Sequence, residues 1–199
     1  MFITFEGIDR SGKTTQARML AQALGDRALL VREPGGTDAA ERIRELVKDS
    51  AIELSPIAET LLFAAARASL VEQVIKPALV EGKIVVCDRY GDSTAAYQGG
   101  ARGVGVERVE ELNRWATGDL VPDATFLLEI PADQASWRES EQDRFEDEGT
   151  DLQRRVGAAY EKLVGMHRER FVRVNADRSP EEVHAQVMVE VEARLGAAK

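Results

Sequence analysis

Residues 7–14 read Gly7-Ile8-Asp9-Arg10-Ser11-Gly12-Lys13-Thr14, and the expected fold follows from this motif. Two glycines separated by four residues are followed at once by lysine and threonine, which is the spacing of a phosphate-binding loop. A β-rich run at 2–5 precedes the loop, and apolar residues recur at helical spacing after it. The order of strand, glycine loop and helix therefore predicts a site where backbone N–H groups and a helix N-terminus face one anion.

The loop residues have distinct expected roles toward a bound nucleotide. Lys13 reaches the β- and γ-phosphates, the hydroxyl of Thr14 holds Mg²⁺, and Arg10 stabilises charge on the transferring group. The predicted nucleotide-binding residues of the loop are Gly7, Ile8, Asp9, Arg10, Ser11, Gly12, Lys13, Thr14 and Thr15. Two alternatives stay open here: a glycine-rich turn with a chance Lys-Thr pair, and a plain surface role for Arg10. The loop alone does not separate hydrolysis from transfer to a second substrate.

The rest of the chain alternates short β-rich runs with longer segments of helical periodicity. This alternation predicts an α/β fold, with a parallel sheet covered by helices on both faces. The five predicted strands are 2–5, 28–31, 83–87, 125–130 and 171–174. A helix that begins at Ser55-Pro56 is expected to be closed by Pro77 and Gly82, because proline interrupts a helix. The 199 residues, 44% of them hydrophobic, suit one domain spanning 1–199.

Charge and cysteine content narrow the classes of partner. The formal net charge of −9 repels polyanions, so we expect neither a nucleic-acid polymer nor an anionic membrane as a partner. A small phosphorylated ligand needs only a local cluster of positive charge.

Cys87 is the single cysteine and ends an apolar run, which is typical of a buried thiol in a reducing compartment. Met1 leads directly into a β-rich run without a basic or apolar leader, so we expect a cytoplasmic protein.

Polar residues follow the second and third predicted strands, at the edge where ligands bind in open α/β sheets. The turn at 32–37 reads Arg-Glu-Pro-Gly-Gly-Thr and brings Glu33 and Pro34 to that edge. Asp88 and Arg89 follow the third strand, where Asp88 can join a Mg²⁺ site and Arg89 can clamp a phosphate. The alternatives are a simple connecting turn and a strand-terminal ion pair.

A cluster of cations in an acidic chain indicates a second anionic ligand. Phe63 and Arg67 lie four residues apart and so share one helix face. They could offer a ring for base stacking beside a hydrogen-bond donor, or they could be a core aromatic and an arginine whose stem packs on apolar surface. The cations expected near the site are Arg10, Lys13, Arg44, Arg67 and Arg89. Two phosphorylated ligands repel each other and need such a concentration of positive charge, which favours transfer between nucleotides over hydrolysis.

The segment 138–149 has no apolar periodicity and carries six acidic residues around Arg138 and Arg144. This composition predicts a solvated flap over the site. The alternative is an ordinary surface loop.

Over nearly its whole length the chain resembles the thymidylate kinase family. The resemblance rests on six stretches: Phe-Glu-Gly-Ile-Asp-Arg-Ser-Gly-Lys-Thr-Thr at 5–15, Arg-Glu-Pro-Gly-Gly-Thr at 32–37, Leu-Leu-Phe-Ala-Ala-Ala-Arg at 61–67, Asp-Arg-Tyr at 88–90, Ala-Tyr-Gln-Gly at 96–99 and Asp-Arg-Phe-Glu at 143–146. It implies the three-layer fold of P-loop nucleoside monophosphate kinases, with a five-stranded parallel sheet and a lid segment. It also implies dTMP and ATP as substrates, Mg²⁺ as cofactor and a homodimer, for which the apolar faces 61–68 and 106–116 are available.

The resemblance assigns roles in the second site. Phe63 stacks on thymine, Arg67 reads the polar edge of the base together with Thr94 or Gln98, and Tyr97 sits under the deoxyribose. Arg44 and Arg89 grip the dTMP phosphate. Asp9 faces the 3′-hydroxyl and the metal region, 138–149 becomes the lid over ATP, and Arg144 is its phosphate-facing arginine.

The family has two forms, which differ in where the catalytic cation lies. One form has an arginine in the phosphate loop and a lid poor in cations; the other has a neutral loop and a basic lid. This chain combines Arg10 and an acidic lid with an Ala-Tyr-Gln-Gly stretch similar to the bacterial, basic-lid form. We expect Arg10, rather than the lid, to be the main transition-state cation.

Two rival functions remain open at the level of sequence. Residues 88–91 read Asp-Arg-Tyr-Gly and fit the Asp-x-x-Gly pattern of regulatory GTPases, but no Asn-Lys-x-Asp guanine motif follows. The second rival is a kinase that acts on another nucleotide or on a nucleoside.

Overall fold

The computed structural model describes residues 1–135 and 149–197. The strands are β1 (Phe2–Glu6), β2 (Ala28–Arg32), β3 (Ile84–Asp88), β4 (Ala124–Glu129) and β5 (Phe171–Asn175). They form one parallel sheet in the order β2-β3-β1-β4-β5. The predicted α/β architecture and all five strands are confirmed, with strand ends that differ by one residue at most of the boundaries.

Helices cover both faces of this sheet. They are α1 (Lys13–Leu24), α2 (Asp38–Lys48), α3 (Pro56–Leu70), α4 (Lys76–Val80), α5 (Gly91–Thr94), α6 (Val106–Thr117), α7 (Ala132–Ala135), α8 (Gly149–Met166) and α9 (Pro180–Ala197). Local signals set several of their starts: Ser55 accepts from the Ala58 N–H at 3.2 Å with Pro56 in the first turn, and Thr37 accepts from the Ala40 N–H at 3.2 Å. No helix within the described ranges is long and apolar enough to cross a membrane.

The core has two parts because successive strand residues point to opposite faces of the sheet. On β1, Ile3 and Phe5 face one apolar cluster, where Phe5 stacks on Phe126 with ring centroids 5.3 Å apart. Phe2 faces the other cluster and meets the ring of Tyr90 edge-on. Every residue of β1 is buried, so the loop that follows it starts from a rigid central strand.

Register brings the predicted site residues to one edge of the sheet. Phe5 lies opposite Asp88 on β3, and Arg32 lies opposite Asp88 from the other side. The Arg89 N–H donates to the Phe5 carbonyl and the Glu33 N–H to the Asp88 carbonyl, both at 3.0 Å. The phosphate loop, the turn after β2 and the turn after β3 therefore start side by side.

The prediction that Pro77 ends the long helix is wrong. A wide turn of π-helix at Val71–Ile75 follows α3, and α4 then carries Pro77 in its first turn. Proline has no N–H and clashes with the carbonyl four residues earlier in a regular helix. The widened turn directly before Pro77 removes that conflict, and the helix ends instead near Gly82, whose φ is 77°.

A helical segment that the sequence did not predict follows β3. It comprises α5 and a second wide turn at Ala95–Ala101. Its glycines disfavour a helix, but most of its side chains are buried, so packing decides the conformation. A Cβ on Gly100 would lie 2.3 Å from the Cβ of Ala159 on α8, so the close approach of these helices requires glycine.

Candidate active site

The phosphate loop is built on glycine conformations at both ends. Gly7 has φ of 138°, and a Cβ there would lie 2.5 Å from the Leu128 carbonyl oxygen and 2.8 Å from Ser11 Oγ. Gly12 has φ of 97° and caps the N-terminus of α1. Arg10 also has positive φ, 61°, which is strained for a residue with a side chain. The loop is held in a curl with α1 directly behind it.

Lys13 lies under this loop with almost no solvent exposure. Its Nζ donates to the Ile8 carbonyl at 2.5 Å and to Ser11 Oγ at 3.3 Å. Burial lowers the Lys13 pKa to about 7, and the charge of Arg89 acts in the same direction. A phosphate beside Lys13 would stabilise the protonated amine and raise its pKa again, so the loop suits an anionic ligand and not another cation.

Thr14 and Asp88 bring two oxygen ligands together at the start of α1. The Thr14 hydroxyl donates to Asp88 Oδ2 at 2.5 Å. Among the described residues there is no cluster of three or more His, Cys, Asp or Glu side chains suited to a metal. One hydroxyl and one carboxylate fit Mg²⁺, which keeps waters and phosphate oxygens as its other ligands. These two residues would hold the ion.

Arg89 is fixed by four residues from three segments: the phosphate loop, α5 and the wide turn at Ala95–Ala101. It forms an ion pair with Asp9, and it donates to Ser93 Oγ at 3.2 Å and to the Gly7 carbonyl at 3.4 Å. Its guanidinium lies 5.2 Å from the ring centroid of Tyr97. The backbone φ of Arg89 is 69°, which is strained for a residue with a side chain. This strained backbone lies at a residue that lines two adjoining cavities of the site.

Gln153 on α8 fixes Asp9 from the opposite side. Its Nε2 donates to Asp9 Oδ2 at 2.7 Å, and its Oε1 accepts from the Asp9 N–H at 2.9 Å. Burial acts to raise the Asp9 pKa, but the charges of Arg89 and Lys13 outweigh it and the pKa is lowered. Asp9 is therefore ionised, and its orientation is set before any ligand binds.

Glu6 is a fully buried carboxylate beneath the turn that carries Arg89. It accepts from the Tyr90 N–H at 2.7 Å, from Ser93 Oγ at 2.6 Å and from the Tyr160 hydroxyl at 2.7 Å. Burial, together with the charge of Asp92, raises the Glu6 pKa to about 7. Glu6 thus ties β1 to the turn after β3 and to α8.

Arg67 lies on the floor of the second site, and its side chain is 1% exposed. It donates to Glu33 Oε2 at 2.8 Å, to Asn113 Oδ1 at 2.6 Å, to Thr94 Oγ1 at 2.7 Å and to the Tyr90 carbonyl at 3.2 Å. Burial raises the Glu33 pKa to about 7 although the charge of Arg67 opposes it. Glu33 Oε1 is buried and has no hydrogen-bond partner among the described residues. These bonds hold the guanidinium in one orientation.

The site residues line two adjoining cavities. The first, here called the aromatic cavity, is lined by Asp9, Glu33, Pro34, Arg44, Phe63, Arg67, Arg89, Tyr90, Ser93, Thr94, Tyr97 and Gln98. The second, here called the loop cavity, is lined by residues 9–16, Arg18, Arg32, Glu33, Arg44, Lys48, Asp88, Arg89, Ala176, Arg178, Pro180 and Val183. The loop cavity has a volume of about 770 Å³, within the ~300–1,000 Å³ usual for small-molecule sites. Asp9, Glu33, Arg44 and Arg89 line both cavities.

The structure brings most of the predicted site residues to these cavities. All nine predicted residues of the second site line the aromatic cavity, and residues 9–15 of the loop line the loop cavity. Gly7 and Ile8 do not line the loop cavity; they shape the loop from behind, and the Ile8 carbonyl anchors Lys13. Arg138, Arg144 and all of the predicted lid except Gly149 lie outside the described residues.

Several residues of the site are not predicted by the sequence. Gln153, Glu6, Ser93 and Asn113 each bond a predicted residue or the turn that carries it. Arg178 after β5 lines the loop cavity. Only Glu6 could have been recognised, because it is the one charged residue of β1 and a buried charge needs partners. The others come from distant segments with no local pattern.

Comparisons with known proteins match the chain to the family that its sequence motifs resemble. The family model described as thymidylate kinase matches residues 5–187. The chain is 43% identical to a thymidylate kinase of Chlorobium chlorochromatii, over 98% of this chain and 96% of that one. It is 44% identical to a thymidylate kinase of Thermosipho africanus, over 98% of this chain and 99% of the relative. A crystal structure of thymidylate kinase from Ehrlichia chaffeensis matches with a TM-score of 0.80 and 34% identity, covering 96% of this chain and 98% of the other. With nearly the whole length matched and the phosphate loop in place, this chain belongs to the thymidylate kinase family.

Proposed function

We propose that this chain transfers the γ-phosphoryl group of ATP to dTMP, giving ADP and dTDP. The observation that carries the proposal is the shared wall of the two cavities, where Arg44 and Arg89 face both. ATP occupies the loop cavity and dTMP the aromatic cavity, with their phosphates meeting at that wall. Two cations there offset the repulsion between the two phosphate groups.

In the aromatic cavity the proposed contacts follow from shape and donor type. Phe63 is half-buried on α3 and offers a ring face for thymine. Arg67 carries only N–H donors, so it suits the carbonyl edge of the base. Tyr97 is buried beneath Arg89, where its ring closes the floor under the sugar.

The proposed reaction is direct in-line transfer without a covalent enzyme intermediate. The attacking phosphate oxygen of dTMP is already ionised at neutral pH, so no general base is needed. Lys13, Arg10 and Arg89 supply positive charge around the γ-phosphoryl group, and the ion pair with Asp9 fixes Arg89 in advance. Mg²⁺ at Thr14 and Asp88 would neutralise phosphate charge. Segment 138–149 is proposed as the lid that excludes water.

A homodimer is part of the proposal. Ile57 and Leu61 lie four residues apart on α3 and are 63% and 53% exposed, which is the pattern of an apolar face that a second copy buries. Light scattering coupled to size-exclusion chromatography tests the homodimer. A monomeric mass at micromolar concentration would contradict the homodimer. A cytoplasmic location stays a prediction from the sequence.

A coupled assay of ADP formation tests the function. ATP is supplied with dTMP, dUMP, dCMP or thymidine in parallel, and we expect the highest kcat/KM with dTMP. Lys13→Met is the control that removes the phosphate-loop charge and should abolish the signal. A higher kcat/KM with another acceptor would indicate a kinase for a different nucleotide or for a nucleoside. Tight binding of GTP that dTMP does not affect would indicate a regulatory GTPase.

A further inference from the structure

The amide of Gln98 is held at one end by a buried carboxylate. Gln98 Nε2 donates to Glu59 Oε1 at 2.8 Å, and both residues are 1% exposed. Arg102 pairs with the same carboxylate, with 2.7 Å between its Nε and Glu59 Oε1. Gln98 also lines the aromatic cavity beside Phe63 and Arg67, so one side chain joins Glu59 on α3 to the proposed base site.

This pairing decides which end of the amide is left for the cavity. A carboxylate paired with a guanidinium only accepts hydrogen bonds, and a glutamine amide has one donor end and one acceptor end. The donor end must therefore face Glu59, and the carbonyl oxygen is the end that remains. Within the described ranges, the Nε2 bond to Glu59 is the only hydrogen bond of the Gln98 side chain.

We propose that Glu59 is a positioning residue for base selection: by holding the Gln98 amide in one orientation, it makes the site accept pyrimidines with an N3–H and reject those with a bare N3. The inference rests on the proposed function, in which the aromatic cavity takes the base of a nucleoside monophosphate. Thymine and uracil offer an N3–H donor and an O4 acceptor, whereas cytosine offers an N3 acceptor and an amino donor.

A glutamine without such a partner would not discriminate in this way. Rotation of the amide by half a turn exchanges its donor and acceptor, so a free Gln98 could adapt to either base. In this protein the rotated amide would set its carbonyl oxygen against the Glu59 carboxylate in a buried site, and acceptor would face acceptor. Glu59 thus acts by making the alternative orientation unfavourable.

The test compares substrates that differ only at the base edge. 5-Methyl-dCMP matches dTMP in its methyl group, sugar and phosphate, and dUMP matches dTMP at its N3–H edge but lacks the methyl group. We expect Glu59→Gln to lower the dTMP to 5-methyl-dCMP ratio of kcat/KM by about tenfold to a hundredfold, because either amide orientation can then be satisfied. The dTMP to dUMP ratio should stay within about twofold of the parent, since the N3–H edge is unchanged.

Two further variants keep the result interpretable. Glu107→Gln makes the same chemical change at an exposed residue paired with Lys162, and both ratios should match the parent. Glu59→Met replaces the carboxylate with an unbranched apolar side chain and should also lower the dTMP to 5-methyl-dCMP ratio of kcat/KM. It serves as the test variant if Glu59→Gln is too unstable to assay. Thermal melting is measured for each protein to separate loss of fold from loss of selection.

The outcomes separate this inference from the proposed function. If the parent enzyme does not phosphorylate dTMP, the proposed function fails. If the parent prefers dTMP and both Glu59 variants keep the full dTMP to 5-methyl-dCMP ratio, the inference is overturned. Equal falls in both ratios would also overturn it, because they show general loosening of the site rather than loss of amide orientation.

Discussion

Binding of ATP should weaken steeply as pH rises through the Lys13 pKa. In the free protein this pKa is lowered to about 7 by burial and by Arg89. The protonated lysine is the form that attracts phosphate, and bound phosphate returns the pKa toward its ordinary value of 10.5. Binding therefore takes up a proton above neutral pH, and that proton becomes scarcer with each added pH unit.

The magnitude follows from the fraction of protein that holds the proton. With a free pKa of about 7 and a bound pKa near the ordinary value, the apparent Kd for ATP should rise about fiftyfold between roughly pH 7 and roughly pH 9. The groups that face Lys13 are Arg89, Asp9, Asp88 and Glu6. The Arg89 pKa is raised well above its usual range and the Asp9 pKa is lowered, so both stay charged throughout. The ionisation of Glu6, with a pKa of about 7, overlaps with that of Lys13.

Calorimetry with a non-hydrolysable ATP analogue measures this Kd at several pH values. Lys13→Arg keeps its charge over the whole range, so it should lose most of the pH dependence, and any remainder belongs to Glu6 and Glu33. Lys162→Arg changes an exposed lysine and should behave as the parent. A parent Kd that changes less than about threefold over this range would refute the argument, since it would mean that Lys13 keeps its proton without phosphate.

Three substitutions test other parts of the site. Arg10→Ala should lower kcat at least about a hundredfold if the loop arginine has its proposed role of stabilising charge on the transferring group, and a fall of only a few-fold would contradict that role. Phe63→Ala should raise KM for dTMP about tenfold by loss of stacking and leave KM for ATP within about twofold; equal rises would argue against base stacking. Arg67→Met should lower the free energy of unfolding in urea by about 3 kcal/mol, because Glu33 is left buried without its partner. Arg173→Met, at an exposed arginine, should cost less than about 1 kcal/mol, and equal losses would show that burial of the pair does not matter.

The sequence predicts those parts of the site whose residues are close in the chain. The phosphate loop follows from the spacing of Gly7, Gly12 and Lys13, and Asp88 with Arg89 follows from their position after a strand. Parallel strands bring their carboxyl ends to one edge, so residues at those ends meet without further information. This is why the fold and the cavity linings could be predicted.

The sequence does not predict the residues that orient the site. Gln153 bonds Asp9 from 144 positions away, and Tyr160 bonds Glu6 from 154 positions away. Such contacts depend on how α8 packs against the segment at Ala95–Ala101, which local patterns do not encode. The helix that continues through Pro77 is not predicted for a related reason: a wide turn at Val71–Ile75 removes the clash that proline causes in a regular helix.

We propose that two nucleotides lie end to end across the wall that includes Arg44 and Arg89. The decisive measurement is a crystal structure of the protein with dTMP and a non-hydrolysable ATP analogue. We predict the thymine ring against Phe63, the dTMP phosphate between the two arginines, and the triphosphate in the loop around Lys13. A dTMP molecule found outside the aromatic cavity, or with its phosphate turned away from Arg89, would contradict the account.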